Sequence, residues 1–241
     1  MTLRCLAIIP AFNEAGAVGD VIRAIGRERP DVDVVVIDDG SRDGTARIAR
    51  AAGATVLQLP FNLGIGGAVQ TGYKFAWDNG YDIAIQVDAD GQHPPSEMSK
   101  VIAPVANGDA DMVIGTRFRE DGGFKSSALR RVGIALFAWL VSTIIRERVT
   151  DTTSGFRAVN RKGIALFESD YPQDYPEVET QALAHRHGLR LLEVPVQMEE
   201  RQAGESSIKV WGSFYYVVKV TLALLIGLFR RPIPLPDEGG H

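Results

Sequence analysis

The apolar positions of this chain come in short unbroken runs, separated by stretches with helical spacing. Residues 6–9 are Leu6, Ala7, Ile8 and Ile9, closed by Pro10. Similar runs, rich in β-branched residues, occupy 32–37, 55–59, 83–87 and 112–115. Each has the length and composition of a buried strand. Between them, Val18, Val21, Ile22 and Ile25 recur at helical spacing, and 45–52 and 66–77 read as further helices. Repeated strand-then-helix units with continuous apolar strands imply an α/β fold, a mostly parallel sheet flanked by helices on both faces. Ligands of such sheets bind outside the carboxyl ends of the strands.

Acidic and polar residues gather at those ends. The first strand runs into Pro10-Ala11-Phe12-Asn13-Glu14 and the second into Asp38-Asp39-Gly40-Ser41-Arg42-Asp43-Gly44-Thr45. The fourth runs into Asp88-Ala89-Asp90-Gly91-Gln92-His93-Pro94-Pro95, and the fifth into Thr116-Arg117. In an extended segment, residues two apart point the same way, so Asp88 and Asp90 would set two carboxylates side by side. Like charges that close repel unless a cation lies between them, and a hard dication, Mg²⁺ or Mn²⁺, suits oxygen donors. Gln92 continues the alternation and offers an amide oxygen. A solvated turn would use the same residue types, but the position directly after a strand favours the metal. His93 is either a ligand or a structural or substrate-contacting neighbour.

Asp39 stands where nucleotide-binding α/β folds read a ribose or base. Ser41 or Asp43 could at the same time cap the following helix. Gly64, Gly66 and Gly67 make a partial dinucleotide fingerprint, but Val69 occupies the third small position and the loop follows the third strand. A tight turn or close helix packing is the favoured use of these glycines.

Composition narrows the picture. The 241 residues carry 26 Lys and Arg against 30 Asp and Glu, a net charge of −4, with 45% hydrophobic residues. That excludes disorder and leaves a chain long enough for a full core. The single cysteine excludes an internal disulfide. An acidic chain without a long basic run is not expected to bind nucleic acid. Residues 1–5 lack the pattern of a secretory leader, giving the expectation of a cytoplasmic start.

Taken together, Pro10 to Glu14, Asp38 to Thr45, Asp88 to Pro95 and Asp151-Thr152-Thr153-Ser154-Gly155-Phe156-Arg157 resemble glycosyltransferase family 2. The most similar subgroup is that of dolichol-phosphate mannosyltransferases and polyprenyl-phosphate glycosyltransferases. The resemblance spans about residues 6–209. It implies a GT-A fold with a Rossmann-like sheet, a nucleotide-sugar donor linked to UDP or GDP, a Mg²⁺ or Mn²⁺ ion and an inverting transfer. It further implies that Pro10, Phe12, Glu14 and Asp39 hold the nucleoside, with Asp88 also on the donor, and that Asp88, Asp90 and Gln92 hold the metal. Phe12 stands where the family often has Tyr. Asp90, Arg117 and Arg131 would be catalytic, with Arg117, Arg130, Arg131, Arg201 and Ser206 facing acceptor phosphate. In Arg201 to Lys209 two residues separate Ser206 from Lys209, unlike the family's R-x-x-G-x-S-K. The implied domain plan is a catalytic domain at 1–209, divided near 120 into donor and acceptor halves, followed by an apolar helix at 210–231 and a disordered tail at 232–241.

Chemistry separates two acceptor classes. A sugar hydroxyl needs a base, for which Asp151 or Glu177 could serve; a lipid monophosphate is already an oxyanion and needs cations to hold it. Arg117, Arg130 and Arg131, with the lack of a Gln-x-x-Arg-Trp motif, favour a polyprenyl phosphate. Residues 134–145 are apolar on most faces, as in an interfacial helix or a core helix. Residues 210–229 approach the length of a membrane span, but Lys219 near the middle would cost roughly 2.5–3.5 kcal/mol there. With Trp211, Phe214, Tyr215 and Tyr216 at its start, this stretch fits a helix at the membrane surface or against a small membrane protein subunit. The expected location is the cytoplasmic membrane face, peripheral or C-terminally anchored.

Overall fold

The computed structural model describes residues 3–116, 154–173 and 176–199. The elements are β1 (Cys5–Ala11), α1 (Val18–Glu28), β2 (Val32–Asp38), α2 (Thr45–Ala51), β3 (Thr55–Gln58), α3 (Gly64–Asp78) and β4 (Ile83–Gln86). There follow a 3₁₀ turn (Pro95–Glu97), α4 (Met98–Ala106), β5 (Met112–Thr116), β6 (Arg157–Asn160), α5 (Arg161–Ser169), α6 (Pro176–Arg186) and β7 (Leu191–Pro195). The strands form one seven-stranded sheet in the order β3-β2-β1-β4-β6-β5-β7. Every adjacent pair is parallel except those that β6 makes with β4 and β5.

The five strands and three helices expected between residues 6 and 115 form, with ends shifted by up to three residues; the helices expected at 134–145 and 210–231 lie outside the described residues. The period of two along each strand sends alternate residues to opposite faces. On β1, Cys5, Ala7, Ile9 and Ala11 join one core, while Leu6 and Ile8 join the other. The first core is closed by Val18, Val21, Ile22 and Ile25 of α1 and by Met98, Val101, Ile102 and Val105 of α4. The second is closed by α3, α5 and α6 through Val69, Tyr73, Ile164, Leu166, Phe167 and Leu183. With both faces covered, β1 is buried along its whole length.

Two features position the site. First, chain order reverses across β1, whose neighbours are β2 and β4, so a crevice opens between the loops after β1 and β4. Second, β6 runs against its neighbours, so it begins at the carboxyl edge of the sheet. Gln86, the last residue of β4, faces Arg157, the first of β6. The segment Ser154-Gly155-Phe156 therefore enters beside the end of β4. The sequence pattern did not reveal β6 or β7; both come from the second half of the chain yet complete the same sheet.

Candidate active site

The loops after β1 and β2 are stitched together by their own motif residues. The Asp39 amide donates to the Ala11 carbonyl at 2.9 Å. Asn13 adopts a left-handed φ of 57°, a conformation Asn tolerates better than most residues. In that pose its amide donates to Ser41 Oγ and its Oδ1 accepts from the Arg42 amide, both at 2.9 Å. The Glu14 amide donates to Thr45 Oγ1 at 2.9 Å, and Asp43 accepts from the amides of Thr45 and Ala15 at 2.9 and 3.2 Å. Ser41 thus braces the β1 loop instead of capping α2. Pro10 is buried within β1, while the ring of Phe12, just past the strand, is 46% exposed at the crevice.

Asp39 is 3% exposed, and its two oxygens accept the amides of Leu63 and Gly64 at 2.7 and 3.0 Å. Burial pushes its carboxyl above the usual range, and those two amides pull it partly back. It ties the β2 loop to the start of α3, with one lone pair on each oxygen still available for a donor. Of the glycines opening α3, Gly64 takes a left-handed φ of 83°, while Gly66 and Gly67 serve close packing. A Cβ on Gly66 would lie 2.5 Å from the backbone of Pro172 and Gln173.

The acidic loop after β4 departs from the extended geometry expected of it. The strand stops at Gln86, and Ala89 and Asp90 form a turn. Gly91 completes it with φ 83°, which glycine adopts without strain. Asp90 is 3% exposed, and its Oδ1 accepts the Gln92 amide at 3.0 Å. Asp88 is the more open of the pair, its side chain 33% exposed. His93 is a brace. Its Nδ1 accepts the Asp88 amide at 3.0 Å, so the proton belongs on Nε2, which lies 3.7 Å from Asp88 Oδ2. The imidazole stacks on Phe156 with centroids 4.8 Å apart.

Chain from the second half completes this edge. A Cβ on Gly155 would sit 3.3 Å from Asp88 Oδ1 and 3.0 Å from Gln86 Nε2, so a side chain there would push both by a few tenths of an ångström. Beyond β7, the Val196 amide donates to Thr116 O and the Glu199 amide to Gln92 O, both at 3.0 Å. At the start of α6, burial pushes the Glu177 carboxyl above the usual range; the charge of Arg157 pulls it back and that of Asp88 raises it further. Arg117, Arg130, Arg131, Asp151, Arg201, Ser206 and Lys209 lie outside the described residues, as do 134–145 and 210–241. Among the described residues, no helix is long and apolar enough to cross a membrane.

The donor set fits a hard dication only with help. Asp88 and Asp90 supply oxygen donors on one edge, but among the described residues no group of three or more acidic, His or Cys side chains is arranged to hold an ion. Magnesium-type sites commonly use one or two carboxylates and complete the shell with water and substrate phosphate. Such a shell suits a site for a phosphorylated ligand.

A mostly parallel sheet with an acidic loop at its switch point and an inserted antiparallel strand is the GT-A arrangement. The solved glucosyl-3-phosphoglycerate synthase from Mycobacterium tuberculosis, in complex with Mn²⁺, UDP-glucose and phosphoglyceric acid, superposes with a TM-score of 0.71. It covers 98% of this chain and 82% of its own at 21% identity, a likeness of fold. The family model for glycosyl transferase family 2 matches residues 6–165, and the chain belongs to that family. It is 31% identical over 215 residues to an undecaprenyl-phosphate mannosyltransferase of Micrococcus luteus, covering 86% of this chain and 88% of that one. It is 30% identical over 210 residues to a UDP-N-acetylglucosamine–dolichyl-phosphate N-acetylglucosaminyltransferase of Methanococcus voltae, covering 79% and 83%. The chain is thus a glycosyltransferase.

Proposed function

We propose that the enzyme moves one sugar, with inversion, from a UDP- or GDP-linked donor to a polyprenyl phosphate at the cytoplasmic face of the membrane. The observation that carries the proposal is the acidic turn at the switch point, with Asp88 open to the crevice and braced on its inner side by His93 and Gly155. The names of the two relatives support the acceptor class.

The donor's base would lie against Phe12, and its diphosphate would reach the edge formed by Asp88 and Asp90, with Gln92 beside them. A Mg²⁺ or Mn²⁺ ion held there would neutralise charge on the departing diphosphate. An oxygen of the acceptor phosphate attacks C1 of the sugar as the bond from C1 to the β-phosphate oxygen breaks. The nucleoside diphosphate leaves with that electron pair. The acceptor is already an anion, so the chain need supply cations and alignment; Arg117, Arg130, Arg131, Arg201 and Ser206 are proposed for that task. His93, with Nδ1 committed to backbone, orients Asp88 and moves no proton.

Glu177 favours a second acceptor class. A half-buried carboxyl with a raised pKa close to the donor edge is suited to accept a proton from a sugar hydroxyl. The two acceptors separate in one assay: purified enzyme, Mn²⁺, a panel of radiolabelled UDP- and GDP-sugars, and either polyprenyl phosphate or free glycan. Label in a lipid product that mild acid releases supports the phosphate acceptor. Label found only in an acid-stable glycan overturns it in favour of the hydroxyl.

A further inference from the structure

Arg157 begins β6 directly beside the end of β4, yet it is 1% exposed. Among the described residues, all its hydrogen-bond partners are neutral oxygens. Nη2 donates to the Ser154 carbonyl and, at 3.3 Å, to the Glu177 carbonyl. Nη1 donates to Thr180 Oγ1 and, at 3.4 Å, to the Pro176 carbonyl. Thr180 Oγ1 in turn donates to the Pro176 carbonyl. Nε is fully buried with no partner among the described residues.

Burying a guanidinium against neutral acceptors is expensive, and hydrophobic packing would serve stability as well or better. What this guanidinium does, and an apolar side chain could not, is clamp two separate stretches of chain at fixed spacing with a planar fork of donors. One stretch is Ser154, whose Oγ donates to the Gly115 carbonyl at 2.6 Å and whose neighbour Gly155 lies against the Asp88 carboxylate. The other is the first turn of α6, which carries Glu177. The clamp also places a positive charge behind an edge populated by carboxylates, where it acts on Glu177.

We propose that Arg157 is a positioning residue for the donor edge: by fixing Ser154 and the first turn of α6, it holds Gly155 against Asp88 and Glu177 nearby, and so sets the geometry in which Asp88 receives the metal and diphosphate. The inference rests on the donor-site function proposed above. It gives the arginine of the Ser154-Gly155-Phe156-Arg157 motif a role through backbone, without contact to substrate.

The test is calorimetric titration of UDP and GDP, each with and without Mn²⁺, into the full chain and into Arg157→Lys. Lysine keeps the charge and loses the fork. The expected result is a metal-dependent affinity at least tenfold weaker in the variant, with the metal-free affinity for the same nucleotide unchanged and a cooperative melt retained. A merely structural role would lower both affinities together or neither. Should Arg157→Lys fail to fold, Thr180→Val removes one of the clamp's anchors at constant shape and is expected to weaken the metal-dependent affinity about threefold. Equal metal-dependent affinity in the wild type and in the variant that folds overturns the inference alone. Absence of any metal-dependent nucleotide binding in the wild type overturns the donor-site proposal and the inference with it.

Discussion

The two ends of the sheet treat their charges in opposite ways. At the amino-terminal end of the parallel strands, acids meet cations. Asp111, before β5, accepts Nε and Nη2 of Arg190 at 3.0 and 3.1 Å, together with the Arg190 amide and the Asn160 side chain. The Arg190 guanidinium holds the Asp111 carboxyl down at about 2. Nearby, Arg4 lies 4.4 Å from the Tyr81 ring centroid while its amide donates to Asp82. At the carboxyl end, Asp38 and Asp39 are buried and accept amides; Asp88 has an imidazole beside it. The first end is compensated within the chain and serves stability. Among the described residues, the acids of the second end meet backbone amides and an imidazole in place of a guanidinium.

The contrast predicts that substitutions at the two ends separate function from stability. The largest effect belongs to the acidic turn. Asp90→Ala or Asp88→Asn should lower transfer on the order of 100-fold or more, as removal of a group stabilising transition-state charge does. Initial rates and melting curves measured together check this; the melt should move little for Asp88→Asn. A shift of the melt in proportion to the lost rate would erase the distinction between the ends.

Next in size is Asp111→Ala, which strips four hydrogen bonds from the opposite end. It should cost about 2–3 kcal/mol by denaturant titration, since bonds to charged partners are worth more than neutral ones. Nucleotide binding should be unchanged. The effect has a pH signature. The folded carboxyl titrates near 2, below the ordinary 3.8, so its contribution is fully present above about pH 4 and is lost as pH falls toward 2. Stability of wild type and Asp111→Asn, followed from pH 5 to pH 2, should therefore converge at the acid end. Parallel curves would show that the Arg190 pairing contributes nothing.

Smallest is Gly26→Ala on α1, away from both ends. A Cβ there meets nothing within 4 Å, and an alanine in a helix gains roughly 0.5–1 kcal/mol over glycine. A higher melting temperature with unchanged turnover is expected. Cys5 supplies a matching control of core integrity. Burial pushes its thiol up to about 12, so it should resist thiol reagents at neutral pH until the chain unfolds.

The parallel half of the fold was legible because β1, β2, β4 and β5 are largely buried and read as continuous apolar runs; β3, expected to be buried as well, lies at the edge of the sheet and is half exposed. So was the gathering of Asp38, Asp39, Asp88 and Asp90 at the carboxyl edge of the sheet, since each stands at or just past the end of such a run. Strand β6 was not: it is four residues long, begins with a buried Arg157 and pairs antiparallel with strands far away in sequence. Its position depends on tertiary pairing that no local pattern reports. Gly155 and Glu177 were named from the sequence, one within a motif and one as a candidate base, but that β6 and α6 bring them to the Asp88 edge depends on the same tertiary pairing. The alternation rule placed Asp88 and Asp90 on one face of an extended segment; the turn at Ala89 and Asp90, eased by Gly91, replaced it. Asn13, Ser41 and Thr45, by contrast, carried a readable signal as small polar residues at strand ends, although their task is to brace loops.

The most direct test of the acidic edge is crystallography of the enzyme with Mn²⁺ and the nucleotide sugar it binds most tightly. The account predicts the ion within about 2.0–2.3 Å of a carboxylate oxygen of Asp88 or Asp90 and in contact with the diphosphate. An ordered donor whose diphosphate lies away from both carboxylates, with no ion between, would contradict it.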